Sequence, residues 1–338
     1  MKPNTASKRT ENDDVLYGEI FCKDCGKSSP ILAGVALLVD DAEEYIYQHT
    51  KGIRRYLDTT HLPKIYRDAY DTALGEIDEN ETQEDLETER VTALYIMNHY
   101  LSSQDFWNTE NSPAINELIS KYWDHGPFTV IEKNLKELSP EKHDLIELGC
   151  GVGGLCSKLS TRLNSYMGVD DSFSSIAFAR SLYCTQTDHL DASIPQDLIH
   201  GHLSKAVRVR KQPTDAIDLD FIVSNIEKPA LKKNNYTLSA ALNLIDMLYE
   251  PEKLPGLQKE FLRDGGLAIQ SSPYIWHESI SRQLREDFTS TNSHELIAKL
   301  YEKNGLRITK SLPHNPWLFF KHFRQVELYS THILFAQK

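Results

Sequence analysis

The sequence predicts an α/β protein built on a doubly wound, Rossmann-like parallel sheet, preceded by a small hairpin and a helical segment. Three observations carry this. From Asp144 onward short apolar runs alternate with amphipathic stretches, as parallel strands joined by helical crossovers do. One of those runs, "LIELG", leads through glycines 149, 151, 153 and 154 into a helical pattern. The first 140 residues lack the alternation and read as two strands round a Cys-x-x-Cys turn, then helices.

Size and composition set the frame. A single core stops growing near roughly 250 to 300 residues, so a chain of 338 residues implies a main domain with an addition. Hydrophobic residues make up 40% and charged residues 25%, an ordinary globular balance. No apolar run approaches the roughly 18 residues of a membrane span, and "MKPNTASKRTENDD" has no apolar core of a secretory signal. A cytoplasmic protein without a membrane partner is the expectation, and five cysteines without a disulfide-like framework fit a reducing compartment. The net charge of -12 speaks against nucleic acid as a partner, because neutralising phosphates needs clustered Lys and Arg. The one dense basic run, "KAVRVRK" (Lys205 to Lys211), reads as a strand facing water. Nothing in the sequence sets the oligomeric state.

In chain order, residues 1–14 are polar and expected to be a disordered tail. Residues 15–39 read as two short strands around Cys22 and Cys25. Residues 40–140 turn acidic and helical, forming a cap; "DAEEYIYQHTKGIRRYL" and "DLETERVTALYIMNHYLSS" carry apolar residues at helical spacing, and Pro113 starts a further helix. Residues 141–338 form the main domain, with strands at "LIELG", "YMGVD", "LDFIVSN", "YTLSAALN", "GLAIQSS" and "HILFAQ".

The glycine loop implies a nucleoside site. Glycine lets a ligand approach the backbone closely, and Asp170, ending the next strand 21 positions after Gly149, has the spacing at which a carboxylate meets ribose hydroxyls. A dinucleotide dehydrogenase is the first rival. The run "ELGCGVGG" carries an acid, Glu147, ahead of the first glycine; that carboxylate would repel a pyrophosphate and favour a cationic amino-acid end.

The loop resembles the E/D-x-G-x-G-x-G signature of class I S-adenosylmethionine-dependent methyltransferases. The resemblance implies S-adenosyl-L-methionine as cofactor, held by Glu147, Gly149, Gly151, Gly153 and Asp170, with Asn225 and Ile226 at adenine and Asn243 at the end of the fourth strand. Asn225 stands where that family more often has Asp, and an amide still bonds the adenine amino group. "ALNLIDMLYEP", "SSPYIWHES" and "HNPWLFFKHFRQVELYSTHILFAQ" resemble segments of 4-mercaptohistidine N1-methyltransferases of ovothiol biosynthesis, a likeness over about residues 140 to 338. It implies methyl transfer to an imidazole nitrogen. The acid before the late histidine is missing, since Lys321 precedes His322.

Methyl transfer from a sulfonium needs orientation above all. Candidates for substrate contact lie after the fourth and fifth strands, where ligands bind in open sheets: Asn243 and Asp246 on one side, Tyr274, Trp276 and His277 on the other. Each has a plainer role open to it. Tyr274 and Trp276 serve equally as core, Asn243 as a helix cap, Asp246 as a helix-start charge and His277 as a surface residue. Arg324, in an aromatic hairpin, is the candidate carboxylate clamp.

"GEIFCKDCGKSSPILAGVALLV" resembles the zinc-ribbon-like segment at the front of some bacterial methyltransferases and in the small activator of tRNA methyltransferases. Cys22 and Cys25 would be two of four zinc ligands, but no second Cys-x-x-Cys pair exists, so a half-ribbon without metal is the favoured reading. Three functional classes stay open: a small-molecule N-methyltransferase, a methyltransferase of RNA or protein, and a non-catalytic binding protein. A closed pocket beside the cofactor favours the first, an open groove the second.

Overall fold

A computed structural model describes residues 2–11, 14–23, 25–77, 82–106, 112–123, 126–185, 187–197, 203–211, 214, 217–276 and 292–338. The chain opens with strands β1 (Lys2–Glu11), β2 (Asp14–Phe21), β3 (Ser28–Leu32) and β4 (Val35–Leu38). Helices α1 (Ala42–Ile53), α2 (Lys64–Glu76), α3 (Thr82–Tyr100), α4 (Pro113–Tyr122) and α5 (Pro127–Leu138) follow. The main domain then runs β5 (His143–Leu148), α6 (Gly154–Leu159), β6 (Leu163–Asp170), α7 (Phe173–Tyr183), β7 (His189–Asp197), β8 (Leu203–Arg210), β9 (Asp218–Ser224) and β10 (Tyr236–Leu242). It ends with α8 (Leu254–Phe261), β11 (Leu262–Ser272), α9 (Ser293–Lys303), β12 (Arg307–His322) and β13 (Gln325–Gln337).

All six apolar runs lie in strands of one eleven-stranded sheet, ordered β1-β2-β3-β4-β9-β6-β5-β10-β11-β13-β12. The pairs from β4 through β11 are parallel, and β13 enters antiparallel between β11 and β12. The dinucleotide-binding order has no such inserted strand. Central β5 and β10 read as nearly continuous apolar runs because both faces are covered. Leu145 packs with Ile131 and Leu155 on one side, while Ile146 packs with Phe261 and Tyr301 on the other. β7 and β8 pair apart from the main sheet, and the basic run lies in β8 as expected.

Two expectations for the N-terminal region need correction. Residues 2–11 were expected to be unstructured, yet they form β1, antiparallel to β2; an open sheet edge offers unpaired N–H and C=O groups, and a charged, Pro-containing strand suits an edge position. The hairpin has three strands rather than two across 14–38, and it is no separate unit, because β4 pairs in parallel with β9. Buried Arg180 on α7 fastens it: its guanidinium donates to both oxygens of Asp14, at 2.9 and 2.8 Å, and pairs with Asp220 at the start of β9. No described helix is long and apolar enough to cross a membrane.

Side-chain hydrogen bonds fasten the helical cap at several points, among them Tyr45 to Asp171 O (2.5 Å) and Ser174 to Gly52 O (3.1 Å). The Asn98 amide donates to Phe320 O (2.9 Å) and accepts from Phe320 N (2.7 Å), acting as a strand partner for the edge of β12. Tyr100 donates to Val152 O in the glycine loop (2.6 Å). Asn98→Leu is expected to cost about 1 to 3 kcal/mol, since it orphans both backbone groups; chemical denaturation checks this, and an unchanged midpoint would show the cap to be held elsewhere.

Candidate active site

The chain reverses its direction across the sheet between β5 and β10, and ligands in such folds bind at the carboxyl ends of the strands beside that switch. A cavity of about 670 Å³ lies there. Its floor consists of strand ends: Val39 after β4, Asn225 and Ile226 after β9, Asp170 on β6, Glu147, Gly149, Cys150 and Gly151 at β5, and Leu242 and Asn243 at β10. Its roof is the cap, through Tyr45, Gln48 and His49 of α1 and Val91, Tyr95 and His99 of α3. The α3 residues recur every fourth position, so one face of that helix looks onto the cavity.

The glycines of the loop do different things. At Gly151 a Cβ would meet nothing within 4 Å, and the residue lines the cavity, so this is where a ligand comes close. A Cβ at Gly153 would stand 3.0 Å from Phe221, and one at Gly154 would strike His99 at 2.5 Å. The last two glycines therefore make room for the sheet and the cap.

Asp170 organises the loop. Its carboxylate accepts from Gly151 N (2.8 Å) and Ser172 N (2.9 Å). Burial raises its pKa, the neighbouring charge of Asp171 adds to this, and the two backbone bonds oppose it. Glu147 lines the cavity but is 2% exposed, and Tyr166 donates to its carboxyl. Burial pushes its pKa up to about 8, against the Tyr166 hydrogen bond and with help from Asp170. A pairing of a fixed Glu147 charge with a cation is thus too simple, because the group is largely protonated near neutrality until a ligand's charge ionises it.

Seven carboxyl residues line this cavity, Asp40, Asp41, Glu44, Glu147, Asp170, Asp171 and Glu227, and no Lys or Arg is among its described lining residues. The N-terminal hairpin supplies part of the rim, since Lys27 holds it by donating to Val39 O (3.0 Å) and Asp40 O (2.9 Å).

The remaining candidates separate. Asn243 lines the cavity with a left-handed backbone (φ 53°), its N–H bonded to Ser271 O at 2.7 Å, and it caps no long helix. Asn225 lines it too, its Oδ1 accepting from Glu227 N (2.8 Å). Asp246 is buried and accepts from Ile275 N (2.7 Å). Tyr274 does not reach the cavity: its hydroxyl bonds His332 Nδ1 at 2.6 Å, and its ring stacks on Trp276. Arg324 does not reach it either, because the register of β12 and β13 places it in the exposed turn at the hairpin tip. His277 lies outside the described residues. Cys22 and Cys25 flank the turn from β2 to β3, with Cys22 N bonded to Lys27 O, and no group of three or more metal-ligating side chains occurs among the described residues.

The sequence marked residues 40–140 as a helical cap, but none of its side chains as site residues. The signal available was the Val91, Tyr95, His99 spacing; which way that stripe faces is set by Asn98 and Tyr100 meeting residues far along the chain.

No protein-family model matches this sequence, and no curated protein matches it. Among solved structures, the Synechocystis magnesium protoporphyrin IX methyltransferase with bound S-adenosylhomocysteine is similar over 77% of this chain and 100% of that one, at 12% identity and a TM-score of 0.42. A methyltransferase from Aquifex aeolicus dependent on S-adenosylmethionine covers 70% and 98%, at 11% identity and 0.40. A chain from the complex containing the Haloferax volcanii Trm112 methyltransferase activator covers 63% and 90%, at 15% identity and 0.40. Likenesses this distant assign no residue.

Proposed function

We propose that this protein is an S-adenosylmethionine-dependent methyltransferase acting on a small molecule, with an imidazole nitrogen of a thiol-histidine as the first acceptor to test. The acidic cavity at the switch point carries this reading. A dinucleotide or nucleoside phosphate would bring anionic charge among seven carboxyl residues with no Lys or Arg among the described lining residues, Lys27 at the rim being engaged with Val39 and Asp40, whereas S-adenosylmethionine brings a sulfonium and an ammonium. The place a pyrophosphate would take, at the start of the helix after the glycines, is occupied by His99 against Gly154.

In this reading Asp170 receives the ribose hydroxyls, Gly151 gives the close approach, Ile226 and Val39 border the adenine end, and Glu147 stands toward the positive end. The bound cofactor supplies an electrophilic methyl group. The chain's own work is to hold the acceptor nitrogen in line and keep water out, which the α1 and α3 roof serves. The roof also favours a small acceptor over RNA or protein, which needs an open groove.

Calorimetric titration with S-adenosylmethionine, S-adenosylhomocysteine and NAD tests the cofactor, and a methyl-transfer screen with 4-mercaptohistidine, histidine and bulk RNA tests the acceptor. Binding of the first two and not of NAD is the expected result; binding of NAD alone would overturn the assignment. Asp170→Ala is expected to weaken S-adenosylhomocysteine by about 10- to 100-fold, the loss of charge-assisted ribose bonds. Unchanged affinity would move the ribose elsewhere.

A further inference from the structure

We infer that a second, smaller cavity beside the first is the acceptor subsite, that it takes a single uncharged aromatic ring, and that His99 is the polar group meeting that ring. The inference rests on placing the cofactor in the larger cavity. The smaller one, of about 150 Å³, lies between the cap, α6 and β12, walled by Trp123, Phe128 and Trp317 with His99, Lys158 and Asn243. His99, Phe128 and Asn243 line both cavities, so the two adjoin there, and a ring in the smaller faces the larger past those residues.

Size and chemistry narrow the occupant. The space, walled by aromatic rings and polar side chains in about equal measure, has a volume of about 150 Å³, the size that accepts one benzene-sized ring. No carboxylate lies among the described lining residues, and the one cation, Lys158, is paired with Glu132 at 3.5 Å. A ligand charge of either sign thus finds no matched partner. Two other polar groups in the wall are engaged: Trp123 Nε1 donates to Leu101 O, and the Asn98 amide spans Leu94 O and the Phe320 backbone. His99 differs. Its Nδ1 edge is buried against Gly154 without a hydrogen-bond partner, which turns the opposite edge, with Nε2, toward the cavities; its ring stands edge-on to Phe128, centroids 5.0 Å apart. Burial holds its pKa down at about 4, so it meets a ligand as a neutral imidazole.

The probe is imidazole itself, titrated at about pH 8 where it is uncharged, by ligand-observed NMR on the full chain saturated with S-adenosylhomocysteine. Indole serves as the oversized ring. Gly126 lies in the smaller cavity only, has an ordinary backbone (φ -64°), and its Cβ position is 3.5 Å from Trp317, so Gly126→Leu fills the space from inside. Imidazole binding without indole binding is expected, lost by at least about 10-fold in Gly126→Leu with the S-adenosylhomocysteine affinity unchanged. His99→Phe, which keeps the ring and removes its nitrogens, is expected to weaken imidazole by about 10-fold, one hydrogen bond. Imidazole that fails to bind, or binds Gly126→Leu equally well, would overturn the subsite while leaving the cofactor site standing. Failure of S-adenosylhomocysteine itself to bind would instead overturn the cofactor placement.

Discussion

Gly151→Val is expected to abolish measurable binding of S-adenosylhomocysteine, a loss of at least about 100-fold or 2.7 kcal/mol, in a protein that still folds. The reason lies in what surrounds that glycine. A Cβ there meets no protein atom within 4 Å, so the added methyls enter the cavity rather than the core. The backbone sits at φ 51°, where a β-branched residue is strained by about 1 to 3 kcal/mol, and this sets the stability cost. Gly153→Ala makes the contrasting control. Its Cβ would press on Phe221 at 3.0 Å and Tyr183 at 3.3 Å, so stability should fall more than ligand contact does. Calorimetry paired with thermal melting separates the two. Full affinity in Gly151→Val would mean that the ligand approaches from another side.

How far the sequence reaches is clear from these residues. The strand ends were legible because each apolar run is short, bounded and followed by a charged or small residue; Asp170 and Asn225 fall where their strands stop. Gly151 was legible as part of a glycine loop, but its distinction from Gly153 and Gly154 was not, since that depends on Phe221 and His99, residues 68 and 55 positions from their glycines. The cap was legible as a helical cover, but which of its faces looks onto the cavity was not. Its orientation comes from side-chain contacts with residues far along the chain, among them Asn98 to Phe320, Tyr100 to Val152 and Tyr45 to Asp171, that no local pattern encodes. The positions of Tyr274 and Arg324 were hidden for a related reason. Both lie close in sequence to strand ends, yet one turns to His332 and the other rides out to a hairpin tip. The union of β4 with β9 was equally hidden, because a parallel pairing between strands this far apart in sequence leaves no signature in either strand.

Glu147→Gln is expected to stabilise the free protein at pH 8 and to change it little at pH 5. In the folded state burial keeps the Glu147 proton on until about pH 8, whereas an unperturbed glutamate releases it near 4.5. Between those values the unfolded chain binds fewer protons than the folded one, so stability declines as pH rises, by about 1.4 kcal/mol per pH unit. Glutamine removes that dependence and still offers Tyr166 an oxygen to donate to. The melting temperature of the variant should therefore exceed that of the native protein by on the order of 5 °C or more at pH 8, the gap closing toward pH 5. The same residue makes a prediction about the ligand. A cation beside Glu147 favours the ionised carboxylate, so binding S-adenosylmethionine should expel a proton and tighten from pH 6 to pH 8. S-adenosylhomocysteine lacks the sulfonium charge and should tighten less. In Glu147→Gln that difference between the two ligands should flatten. If the ratio of affinities is already independent of pH in the native protein, the positive end of the cofactor lies away from Glu147, and the buried acid serves the packing of β5 against Tyr166 instead.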